Sequence, residues 1–202
     1  MGTYAEVVRT LQPIIVPVFS AVGIGLEAAQ EEHATRKFRR SDDPHYYLHT
    51  VRRVAVDRLT GQGLQAMNEE ADRPLLPLSS ILVFYKGIAL RVLRPEVHPS
   101  GETVIPVPGR SHARQAFWRQ DAGSALPGME TDNILLLWTD SDGVLDEPMT
   151  LVRPLGGDHR RNSLRLHWKG KLAREMANLR AADLDELRPD VEYRHMGSEE
   201  VG

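Results

Sequence analysis

ILVFYKGIALRVLR, residues 81–94, decides the fold. Two runs of β-branched, aromatic and aliphatic residues flank Lys86-Gly87, and glycine tolerates the positive φ that a tight hairpin turn demands. Two antiparallel strands are expected here. The chain then alternates turn signals with apolar runs. NILLLWTD (133–140) reads as a buried strand, SDG (141–143) as a turn, and MTLVRPL (149–155) and SLRLHW (163–168) as strands around Gly156-Gly157. HPSGETVIPVPG (98–109) reads as a loop with an extended segment. Ser111 can cap a helix through HARQAFWRQD (112–121), and a last helix is expected from Ala173 to Leu187, before Pro189.

Upstream of the hairpin the pattern is helical. Residues 3–38 predict a helix interrupted or kinked near Pro13 and Pro17. Asp43 is a good N-cap and Pro44 suits the first helical position; Leu48, Val51, Ala55 and Leu59 then recur at helical spacing up to Gly61. The segregation of helices from strands predicts an α+β protein: N-terminal helices (1–62), a linker (63–80), then a largely antiparallel β-sheet with one inserted helix and a C-terminal helix (81–202), in one globular unit. No Gly-rich fingerprint follows a strand, which argues against Rossmann and P-loop readings.

Composition narrows the chemistry. The chain of 202 residues is 41% hydrophobic and 26% charged, enough for a packed core. A net charge of −3 predicts no overall attraction to nucleic acid or anionic membranes. Cysteine is absent, so disulfides, thiolate metal sites and a cysteine nucleophile are excluded, and a reducing, cytoplasmic location is expected. Thr10 to Leu26 lacks any charged residue, yet the run is short for a spanning helix and carries two prolines and two glycines; a buried helix is expected, without a membrane role.

Three clusters invite a functional reading. His45 and His49 share a helix face in HYYLH, but Tyr46 stands where a zinc protease has its glutamate. Asp140, Asp142, Asp146 and Glu147 surround Gly143; they fit a hairpin turn better than a calcium loop, and no metal or other cofactor is expected. The most informative segment is PGRSHARQAFWRQ (108–120). Arg110, Ser111, His112, Arg114, Gln115, Trp118 and Arg119 gather at a helix start, where free backbone N–H groups and guanidiniums favour an anion. A second basic stretch, Asp158 to Arg174, sets six cations against one acid and adds Arg165 and Lys169; residues 175–202 set three arginines against eight acids.

GRSHARQAFWRQ together with NILLLWTDSDG resembles a pattern in uncharacterised actinobacterial proteins encoded beside proteins that join a helix-turn-helix to an ImmA/IrrE-type metalloprotease. The resemblance spans residues 44–170 and transfers no catalytic residue. It implies a small bacterial regulatory or toxin–antitoxin-like operon partner. The expected function is therefore that of a non-enzymatic interaction protein, binding a partner protein, or with less support DNA, through the Arg110–Arg119 helix and the neighbouring basic strand. Trp118 would serve as an apolar anchor. The alternative is a small metal-dependent nuclease or toxin-like enzyme, with Asp140 and Asp142 on the ion and Arg114 or Lys169 on the phosphate.

Overall fold

A computed structural model describes residues 2–67, 80–110, 112–120, 131–158 and 160–193. The chain opens with helix α1 (Tyr4–Thr35), started by a capping box in which Thr3 and Glu6 satisfy each other's backbone N–H groups. The expected interruption at the prolines does not occur: Pro13 and Pro17 lie inside one helix. Pro13 is exposed and Pro17 half-buried, so the carbonyls they leave unbonded lie toward water, while Leu11, Ile14, Ile15, Val18 and Phe19 pack inward. By length and composition α1 is apolar enough to cross a membrane, and half of its most apolar window is buried inside the protein.

Helix α2 (Pro44–Gly61) is capped by Asp43, whose side chain accepts from the Tyr46 N–H. Its buried stripe is Tyr47, Val51, Ala55 and Leu59. Tyr47 thus opens the stripe where the sequence favoured Leu48. The two helices touch closely at Gly25, where an added Cβ would stand 2.5 Å from the Val51 carbonyl oxygen.

Among the described residues the sheet has seven strands, in the order β1-β2-β3-β6-β9-β10-β11. These are β1 (Gln65–Met67), β2 (Ile81–Tyr85), β3 (Ile88–Leu93), β6 (Asp132–Leu137), β9 (Met149–Asp158), β10 (Ser163–Leu172) and β11 (Val191–Glu192). The small hairpins β4 (Glu96–Val97) with β5 (Thr103–Val104), and β7 (Asp140–Ser141) with β8 (Val144–Leu145), stand outside it. Lys86 and Gly87 both have positive φ, as the quoted stretch requires, and β2 pairs with β3 from Ile81↔Val92 to Tyr85↔Ile88.

The α+β class holds, with N-terminal helices and an antiparallel-dominated sheet. The sheet is nevertheless mixed: β3 and β6 run parallel, Ile88 beside Asp132 through Leu93 beside Leu137. That geometry needs a crossover, supplied by the segment containing helix α3 (His112–Arg119). The stretch 63–80 is not simply a linker, because its residues 65–67 form β1 against Phe84, Val83 and Leu82; residues 68–79 lie outside the described part. The C-terminal helix is shorter than expected: a 3₁₀ turn at Arg174–Asn178 precedes α4 (Ala181–Glu186).

Strand alternation sorts the side chains into two cores. Ile88, Leu90, Val92, Ile134, Leu136, Leu151 and Trp168 meet α1 and α2 in the larger. Ala89, Leu93, Leu135, Leu137 and Val152 meet Phe117 and Trp118 of α3 in the smaller, on the other face. A buried ion pair ties the ends together: Arg153 Nε donates to Asp132 Oδ1 at 2.7 Å, and the Gly2 N–H donates to Asp132 Oδ2.

Candidate functional site

Helix α3 is held at both ends. Phe117 and Trp118 are buried, and the Trp118 indole N–H donates to the Pro106 carbonyl at 3.0 Å. Gln120, at φ 60, follows the helix and binds two strands: its Nε2 donates to the carbonyls of Asn133 and Pro154, and its Oε1 accepts from the Asn133 N–H. Asn133 in turn donates through Nδ2 to the Phe117 carbonyl. The face of α3 with Phe117 and Gln120 is thus the one that meets the sheet.

This anchoring corrects the role assigned to Trp118. At 3% exposure and with its N–H used internally, it holds the helix down and has no face left for a partner. Gln115 is also employed within the molecule, donating to the Gly109 carbonyl and accepting from Arg119 Nη2 at 3.3 Å. Ser111 lies outside the described residues. Arg110 and His112 are exposed at the start of α3, and Arg114 folds back near Gly109, where an added Cβ would stand 3.6 Å from its Nη1.

Arg119 and Arg165 come together. β9 does not turn at Gly156-Gly157 but runs through them to Asp158, and β10 returns alongside with Arg165 opposite Gly156. Gly156 has φ +128, a conformation that L side chains rarely adopt; an added Cβ would stand 3.4 Å from Arg165 Nη2 and 3.6 Å from Arg119 Cγ. The missing side chain leaves room for both arginines. Beside them a cavity of about 330 Å³ is lined by Gln115, Arg119, Gly157, Asp158 and Arg160. Among the described residues, no carboxylate lies within 4 Å of a cationic atom of Arg110, Arg119, Arg160 or Arg165, although Arg161 pairs loosely with Asp158 at 3.8 Å. Lys169 is not part of this group. It lies four residues along β10, about 13 Å at strand spacing, between Val152 and Val191.

Beneath α3 sits a charge that sequence reading missed. Arg91 is 9% exposed on β3, with its guanidinium 4.7 Å from the Phe117 ring centre and 5.8 Å from that of Trp118. Nη1 donates to Ser80 Oγ, and Nε has no partner among the described residues. Burial, and then the charge of Arg114, pushes its pKa down to about 10, so the group stays cationic at neutral pH. It adds positive potential under the surface arginines. A lone arginine within the strand run IALRVL was the available signal.

The carboxylate cluster is arranged differently from a metal site. Asp142-Gly143 forms the turn between β7 and β8, both residues at positive φ. The Asp140 carboxylate is fully covered and bound by two guanidiniums, Arg40 and Arg94. Burial raises its pKa, but the hydrogen bond and charge of Arg40, with Arg94, outweigh it and hold the carboxyl below its ordinary value. A carboxylate so occupied does not serve as the ion ligand of the nuclease alternative. Among the described residues, no group of three or more His, Asp or Glu side chains is placed to hold a metal.

Comparison with family models, with curated proteins and with solved structures returned no match.

Proposed function

We propose that this chain is a non-enzymatic interaction protein of regulatory or toxin–antitoxin-like type that grips an acidic segment of a partner protein. The observation that carries this reading is the approach of Arg119, from α3, and Arg165, from β10, over the side-chain-free Gly156. The Arg165 guanidinium and the Arg119 stem converge there from separate rigid elements, and each charge-assisted hydrogen bond that such a group makes to a carboxylate contributes about 1.5–3 kcal/mol. Arg160 adds a third cation at the rim. The compact concave shape suits one or two carboxylates better than a continuous phosphate backbone.

The test is titration with a polyglutamate peptide beside a duplex DNA of matched charge, at two salt concentrations. The peptide is expected to bind more tightly, and more weakly at high salt. Replacing Arg119 and Arg165 together with alanine should weaken peptide binding on the order of 100-fold while the melting temperature stays unchanged. Equal binding by the double variant removes the site; tighter binding of the duplex than of the peptide removes the partner class.

A further inference from the structure

On the opposite face of the sheet from α3, the C-terminal end of α1, the start of α2 and the β7–β8 turn enclose a second cavity of about 340 Å³. Three of the residues lining it, His33, Phe38 and Tyr47, carry aromatic rings. His33 is stacked on Tyr46 at 5.5 Å between ring centres and meets Tyr47 edge-on at 5.2 Å and Phe38 edge-on at 6.0 Å. Gln30, His33, Phe38, Arg40 and Tyr47 line the space.

Two features set this cavity apart from a packing gap. His33 and Tyr47 are 3% and 2% exposed, yet His33 Nδ1, His33 Nε2 and the Tyr47 hydroxyl have no hydrogen-bond partner among the described residues. Buried polar atoms are ordinarily paired, and three unpaired ones on two touching rings are exceptional. A neutral imidazole offers one donor and one acceptor, and a phenol offers both. At the mouth Phe38 is 46% exposed, on the connector between the helices, an apolar ring with one side in water.

Charge selects the kind of occupant. Arg40 lies over the Tyr47 ring at 4.6 Å, but its guanidinium is engaged by Asp140, which Arg94 also binds. Asp142 adds a negative charge at the rim. Two cations and two anions leave the cavity without a net demand for charge, and its volume falls at the small end for ligand pockets.

We infer that this cage binds an uncharged planar heterocycle of nucleobase size, stacked among Phe38, Tyr47 and His33 and hydrogen-bonded through the imidazole and the Tyr47 hydroxyl. The ring enters by displacing Phe38 outward, which opens the sealed polar atoms to it. Tyr46 braces His33 from behind and is fixed by its hydroxyl, which donates to Glu32 Oε1 at 2.8 Å.

The experiment is ligand-observed NMR and calorimetry on the full chain with adenine, cytosine and uracil. Benzoate serves as a charged ring and cyclohexanecarboxamide as a non-planar amide. At least one base is expected to bind saturably and more tightly than either control. Tyr47→Phe should weaken that binding about tenfold without lowering the melting temperature, because the hydroxyl it removes is unpaired. Phe38→Ala, at an exposed position, should weaken it while leaving the fold intact. Absence of saturable binding by any base up to its solubility limit overturns the inference. So does a control that binds as tightly as the best base, or affinity unchanged in both variants.

Discussion

Asp140 is one side chain on which several parts of the molecule depend. It joins the α1–α2 connector, through Arg40, to the end of the β3 hairpin, through Arg94, and its Oδ2 also accepts from the Gly143 N–H at 3.2 Å. Asp140→Asn would leave two guanidiniums facing each other beside a neutral amide. A loss of about 3 kcal/mol is expected, read by urea unfolding. The pH dependence has a definite sign. A carboxyl held below its ordinary value contributes stability that is complete above about pH 4 and is lost as pH falls through its folded value. The variant should therefore show a flatter acid limb than the parent when stability is measured from pH 6 downward. Arg91 has the opposite character, a base held below its ordinary pKa, so its charge costs stability throughout the range below about pH 10. Arg91→Met should be neutral or raise the melting temperature, since a buried charge with no acid partner among the described residues is replaced by an apolar chain of similar length. Arg91→Ala should lower stability by about 2 kcal/mol, because it also opens a gap beneath Phe117.

At the scale of elements, the helix pair rests on a missing methyl group. Gly25→Ala would drive a Cβ into the Val51 carbonyl and part α1 from α2; a cost of about 2 kcal/mol is expected from thermal melts. Gly23→Ala, two residues away in the same helix with nothing within 4 Å, should be neutral or stabilising by about 0.5–1 kcal/mol. The contrast between these two glycines shows what a sequence can and cannot reveal. Lys86-Gly87, Asp142-Gly143, the Asp43-Pro44 helix start and the apolar strand run of β9 were legible because each is a local rule expressed within a few residues. The close approach at Gly25, the parallel pairing of β3 with β6 and the stacking of His33 on Tyr46 depend on residues brought from afar, and no local pattern encodes them. HYYLH drew attention to its histidines, whereas the fold uses the two tyrosines between them to build a cage around a histidine of another helix. In the same way the basic helix was visible as charge, but its meeting with Arg165 needed a glycine in β9 that looked like part of a turn.

At the scale of the described molecule, β1–β3 form one run of antiparallel strands and β6, β9, β10 and β11 another, held side by side by the parallel pairing of β3 with β6, with α1 and α2 packed across the first core and α3 across the second. Removal of residues 1–35 would uncover most of the larger core, and such a truncated chain is expected to be insoluble on expression, as judged by fractionation. The parallel joint also has a kinetic consequence. The hairpins β2–β3 and β9–β10 close over a few residues, while bringing β6 to β3 requires a loop of roughly forty residues to close first. A refolding chain is therefore expected to form its two half-sheets before the parallel joint, each with a bare row of amide and carbonyl groups along its inner border. Such a border accepts the matching strand of another molecule as readily as its own. Concentrated refolding mixtures should accordingly accumulate interlocked dimers that exchange halves at this joint, and dilution should return the monomer.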